Sequence, residues 1–205
     1  MKTIILPTHP KYCYLTYDTK EKTIDIRKTC PEPPFKVLTY MTCDLHGVPG
    51  VTEWFHPNFG KYRALRGNVI GEFICEKVDD IFPFGLGSAI VDSDGNVISP
   101  ESIIIKSCLS EKQLENYLGE KGKGVALHIT APRLYDEPRE LREFYKYLPE
   151  KILGSGDYDC RKPWNCACMD YPEGGDDCHD CEYGGKKRIT RAPQSWRYIE
   201  DPEEV

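Results

Sequence analysis

No part of this chain keeps one hydrophobic period for long, and that limits the folds open to it. β-like runs recur as "KTIILPTH", residues 22–28, "FKVLTYMTC" (35–43), "GNVIGEFICEKVDDI" (67–81) and "GKGVALHITAPRLY", each cut by proline, glycine or charge. Gly71, inside one run, marks a bend or bulge, and the Asp-Gly pair of "IVDSDGNVIS" marks a tight hairpin turn. Two segments read as helices. "SEKQLENYLG" has a Ser110–Gln113 capping box and Gly119 at its stop, and "DEPRELREFYKYL" has Asp136 as N-cap with Leu141, Phe144, Tyr145 and Leu148 on one face. "PKYCYLTYDT" reads as a short helix or turn, because Tyr and Thr are mediocre helix formers. Strands and helices alternate without a regular βαβ rhythm, so the fold class is α+β rather than a doubly wound sheet.

The 205 residues, 40% hydrophobic and 29% charged, suffice for a globular core. The longest apolar runs, such as "VALHI" and "SIIIK", are too short to span a bilayer, and the N-terminal apolar stretch is too short for a secretory leader. A cytoplasmic protein without a membrane partner is expected. A net charge of −6 excludes a non-specific coat for duplex DNA. The charge is uneven, however: residues 1–30 hold six Lys/Arg against three Asp/Glu, while "EDPEEV" at the end holds four acids. A local basic patch suits nucleic acid even where the whole molecule does not.

The stretch "KEKTIDIRKT" concentrates that basic charge. In a strand, Ile24 and Ile26 point one way and Thr23, Asp25 and Arg27 the other, with Lys22 and Lys28 at the ends. One face suits a core. The other is either a solvated outer face or a ligand wall in which Lys22 and Arg27 hold an anionic or carbonyl group and Asp25 orients Arg27 or accepts from a base. Near the C-terminus, "RAPQSWRYIE" puts Trp196 and Tyr198 on one strand face. Beside residues 22–28 they would set a base-stacking surface against a phosphate-holding one, with Gln194 and Ser195 placed to read a base edge; alternatively Trp196 plugs the core.

Of ten cysteines, Cys13, Cys30, Cys43, Cys75 and Cys108 are scattered and read as small apolar residues. Cys160, Cys166, Cys168, Cys178 and Cys181 crowd into one Gly/Asp-rich segment with C-x5-C-x-C and C-x2-C spacings. Four of these five thiols can close a structural zinc site, with His179 outside the coordination shell, and the alternative is free thiols in a loop. The expected division is a core over 1–157 with an insertion around 79–107, a zinc-binding segment over 158–185, and a closing strand and acidic tail over 186–205.

Several of these motifs together resemble the ASCH domain family, relatives of the PUA-like fold. The first strand ends in Thr8-His9-Pro10, and Lys22, Thr23, Asp25 and Arg27 follow the family's lysine motif with Asp in place of the usual Glu. "GVALHITAPRLYDEPRELREFY" and "APQSWRYIE" are similar to a small bacterial and phage-encoded branch with a Cys-rich segment before a closing strand. The glycine expected before the lysine motif is absent, with "DTKEK" in its place. The resemblance implies a small curved mixed β-barrel with flanking helices and a cleft lined by the lysine-motif strand, where RNA or a modified nucleotide binds.

One enzyme branch hydrolyses acetylcytidine with a lysine, which Lys22 matches, and a nucleophilic threonine, whose place Asp25 takes. A carboxylate is no substitute for that hydroxyl, and Thr23 does not stand at the nucleophile's position, so this activity is not expected. A nuclease would need a base, for which His9 and His128 are the candidates, though strand histidines are commonly structural. The leading expectation is an RNA- or nucleotide-binding module lined by Thr8, His9, Lys22, Thr23, Asp25, Arg27, Lys28, His128, Gln194, Ser195 and Trp196. The rivals are an enzyme acting on RNA or a modified nucleoside, and a phage or mobile-element protein that binds a host protein.

Overall fold

The computed structural model describes residues 1–42, 62, 65–84, 87–91, 95, 97–119, 122–146, 189 and 191–200. Its strands are β1 (Lys2–Thr8), β2 (Ile24–Arg27), β3 (Phe35–Met41), β4 (Asn68–Cys75), β5 (Val78–Phe84), β6 (Gly87–Val91), β7 (Val97–Ile98), β8 (Gly124–His128), β9 (Thr130–Glu140), β10 (Tyr145–Lys146) and β11 (Arg197–Glu200). The helices are α1 (Pro10–Tyr17), α2 (Pro100–Ser107) and α3 (Glu111–Leu118). One sheet has the order β10-β11-β1-β3-β4-β9 and the other β2-β8-β5-β6-β7. The class is α+β as expected. Among the described residues, however, the ladders form two separate sheets and not the closed barrel that the resemblance implies.

Alternation along the strands sorts the core into layers. Ile4 and Leu6 of β1 join Phe35, Val37, Phe73 and Cys75 from their own sheet and Leu127 from the other, so the two sheets share one apolar interior. Ile5, on the opposite face of β1, packs with Leu38, Val69, Phe144 and Ile199. Ile24 and Ile26 of β2 lie with Ile81 and Ala126 against Ile103 of α2 and Leu114 and Leu118 of α3. That face of β2 is therefore the core face, as its sequence predicts.

α1 forms despite weak propensity because its ends and one face are fixed. His9 is the N-cap, its Nδ1 accepting from the Lys11 amide at 3.3 Å, and Pro10 opens the helix where a missing N–H costs nothing. Cys13 and Tyr17 pack against Met41, Tyr62 and Ile70, and the Tyr17 hydroxyl donates to Thr39 Oγ1 at 2.6 Å. α3 has the predicted Ser110–Gln113 capping box and ends at Gly119, φ 71°. α2 was not read from the sequence: Ser99 caps it, accepting from the Ser102 amide, and Pro100 follows.

Two expectations are corrected. The run 67–81 is two strands, β4 and β5, belonging to different sheets. The helix predicted from Asp136 is instead the end of β9 followed by a short 3-10 turn, Leu141–Glu143. Pro138 disfavours a helical residue before it, and the backbone of Arg139 and Glu140 pairs with Val69 and Asn68 of β4. Leu141 and Phe144 are still buried, so the apolar signal was real and the period assigned to it was wrong. Gly71 sits at a register shift between β4 and β9, where a Cβ would lie 2.5 Å from the Arg133 carbonyl oxygen.

Candidate functional site

β2 pairs antiparallel with β8, placing Asp25 opposite Leu127 and Arg27 opposite Val125. Since Leu127 faces the interior between the sheets, the polar face of β2 is turned inward as well. Gly124 permits the pairing: a Cβ there would lie 2.7 Å from the Arg27 carbonyl oxygen and 2.6 Å from Leu118 Cδ2.

The inward charges are consumed within the chain. Lys22, 4% exposed, sends its Nζ to Asp25 Oδ1 at 3.0 Å, to the Ile24 carbonyl at 2.8 Å and to the Ser107 carbonyl at 3.2 Å. An ammonium has three protons, and three acceptors take them. Ser107 is the last residue of α2, so Lys22 also places a positive charge at the negative end of that helix. The Tyr12 ring lies 5.1 Å below Nζ. Arg27 Nε donates to Asp25 Oδ2 at 2.6 Å and Nη2 to the Pro7 carbonyl at 2.9 Å.

The protonation states follow from this geometry. Burial would raise the Asp25 carboxyl, but Arg27 and then Lys22 outweigh it and hold it at about 2. Burial likewise works against the Arg27 charge, and Asp25 more than reverses that, raising it. The Tyr12 phenol is pushed up to about 12, first by burial and then by Asp25 and Cys108. Lys22, Asp25 and Arg27 thus form a sealed ionic bolt tying β1, β2 and α2. It is not a solvent-facing cation wall.

The other predicted residues fall into separate places. Thr8 is buried and its hydroxyl donates to the Leu6 carbonyl at 3.4 Å; Thr23 and Lys28 are exposed. His9 caps α1 and stacks edge-on against Tyr12 at 6.2 Å. His128 does not meet it. Opposite Ile24 on the helix-facing side of β2–β8, its Nε2 is 2.6 Å from Asp79 Oδ2, and Lys77 Nζ is 3.2 Å from Asp79 Oδ1. A carboxylate only accepts, so the neutral ring carries its proton on Nε2. Gln194 is exposed and Ser195 half-buried.

β11 pairs with β1 and β10 rather than β2, yet it still brings aromatic rings to the end of β2. Trp196 Nε1–H donates to Thr29 Oγ1 at 3.2 Å, and Trp196 meets Tyr198 edge-to-face at 5.3 Å. Both rings are half-buried against the inter-sheet core. Lys2 Nζ lies 5.6 Å from the Tyr198 ring centre, and exposed Lys28 lies 5.8 Å from that of Tyr117. Trp196 thus reaches the end of β2 through Thr29, a residue with no sequence signal of its own, while the cation over the Tyr198 ring comes from β1 and not from residues 22–28.

The five clustered cysteines and His179 lie outside the described residues. Among the described residues no group of His, Cys, Asp and Glu is arranged to hold a metal, and no helix is long and apolar enough to cross a membrane. Cys13 and Cys75 are buried, while Cys30 and Cys108 are half-buried.

No family model matches the sequence, and no curated protein does. Among solved structures the chain is similar to ASCH from Zymomonas mobilis, at 16% identity and a TM-score of 0.44 over 68% of this chain and 74% of that one. Two single-substitution variants of the Zymomonas mobilis protein are similar at 14% and 15% identity, each with a TM-score of 0.42; the first covers 69% of this chain and 77% of that one, the second 68% and 75%.

Proposed function

We propose that the chain is an ASCH-like module that binds single-stranded RNA or a nucleotide at the corner where β11 meets the end of β2. The observation that carries this reading is the Trp196–Thr29 hydrogen bond, which sets a half-exposed aromatic pair beside the cationic end of β2. Bases stack on such rings whatever their sequence, and neighbouring cations hold the phosphates. The motif residues Lys22, Asp25 and Arg27, which resemble the ASCH pattern, hold in place the strand that leads to Thr29. In this reading Lys22 and Asp25 are the frame. Lys28, with Lys2 across the corner, supplies the charge that faces a ligand.

Hydrolysis of a modified nucleoside is the weaker reading. The lysine it would employ has its three donors occupied, and Asp25 offers no hydroxyl.

The test is equilibrium binding of a labelled single-stranded oligoribonucleotide across a salt series. Trp196→Ala should weaken binding about fivefold or more. Lys28→Ala should weaken it evenly across sequences and reduce the salt slope by about 1. An absence of binding at low salt, or an affinity unmoved by Trp196→Ala, overturns the reading; capture of a specific protein with no RNA would replace it.

A further inference from the structure

The Trp196–Thr29 contact fixes more than the position of a ring. Tryptophan has one polar hydrogen, on Nε1, and no acceptor. In this chain that hydrogen is committed to Thr29 Oγ1 at 3.2 Å, across 167 residues of sequence. Trp196 itself precedes β11, at the end of the irregular stretch 191–195, so the ladder does not hold its side chain. The inter-sheet core, the edge of Tyr198 and the Thr29 hydroxyl do, and of these only Thr29 engages its polar hydrogen.

We propose that Thr29 is a positioning residue for Trp196 and that, by occupying the indole N–H, it makes this subsite a stacking platform indifferent to base identity. The inference rests on the RNA-binding reading above. An indole with a free N–H can donate to a carbonyl or ring nitrogen at a base edge and so prefer one base. With the N–H occupied, only the π face remains, and every base has a π face. The ligand class is then single-stranded nucleic acid of any sequence at this position, ranked by stacking area, purines ahead of pyrimidines.

The experiment uses the full chain with oligo(A), oligo(C) and oligo(U) of equal length, followed by anisotropy of the labelled oligonucleotide and by tryptophan emission. The emission change due to Trp196 is identified by its loss in Trp196→Phe. Wild type should bind the three homopolymers within about tenfold of one another, with quenching. Thr29→Val, which keeps the shape and removes the acceptor, should weaken binding several-fold and move the emission maximum, and Thr29→Ser should restore both. Thr29 is exposed, so the variants should fold, and Thr29→Ala with a circular dichroism check gives a second removal of the acceptor.

Thr29→Val and Thr29→Ala binding as wild type, or one homopolymer preferred by about a hundredfold or more, overturns the positioning inference while leaving RNA binding intact. Binding that is absent, or unaffected by Trp196→Ala, overturns the underlying reading and the inference with it.

Discussion

Lys22 and Asp25, three residues apart, meet at 3.0 Å with side chains only 3% and 9% exposed. A pair so withdrawn from water is a commitment of the fold: breaking it by removing one member leaves the other charge buried without compensation. Asp25→Ala should cost about 3–5 kcal/mol of stability, since it strands both Lys22 and Arg27. Lys22→Met should cost a comparable amount, because the Ile24 and Ser107 carbonyls lose their donor as well. Urea denaturation of each variant checks this, and a loss below about 1 kcal/mol in both would show that the bolt is loose in solution.

The same carboxylate sets an acid limit. Asp25 is held at about 2 in the folded chain against an ordinary value of 3.8, so the folded state binds its proton less readily than the unfolded one. Its contribution is fully present above about 3.8 and is lost as pH falls through about 2. The contribution is roughly 2 kcal/mol. Unfolding free energy measured between pH 2 and pH 5 should rise with pH in wild type, and Asp25→Asn should flatten much of that slope.

Asp79 and His128 form the second buried anchor. Asp79, 1% exposed, accepts from His128 at Oδ2 and faces the Lys77 ammonium as an ion pair at Oδ1. Asp79→Ala should destabilise the protein by about 1–3 kcal/mol. It should also release the His128 tautomer, visible as averaged ring-nitrogen shifts in NMR where wild type shows the Nε2–H form.

Acetylcytidine offers a sharp negative. With the Lys22 donors occupied and Asp25 in the place of a hydroxyl nucleophile, incubation with that nucleoside should release no acetate above the uncatalysed rate. Turnover that disappears in Lys22→Ala would show that the bolt opens for chemistry.

The cysteine spacing over 160–181 carries its own expectation: about one zinc per chain in reduced, purified protein, held by four of Cys160, Cys166, Cys168, Cys178 and Cys181. Elemental analysis decides it, and protein kept reduced without zinc would refute it.

What the sequence disclosed depended on the range of the interaction involved. Local signals were readable: the Ser110–Gln113 box, the core face of β2 and the shared face of Trp196 and Tyr198 all follow from neighbours in sequence. The direction of the other face of β2 was not, because whether Asp25 meets water or Leu127 depends on the second sheet. The helix expected from Asp136 failed for the same reason: pairing with β4 overrode a plausible local period. Thr29, Asp79 and Ser107 carried no signal, since each matters only through a partner brought near by folding.

The pairing of β11 with β1 has a consequence in time. β1 lies between β3 and β11, so the first strand of the chain is not covered on both edges until Arg197–Glu200 have arrived. Contacts of such separation form late, because the loop they close must be ordered first. A chain emerging from the ribosome therefore carries an open β1 edge until β11 has been made. Trp196 arrives with that last strand, so a prematurely terminated product lacks the indole that Thr29 would hold. Such fragments would be exposed to proteolysis, because the β1 edge stays open and the Trp196–Thr29 contact is not made.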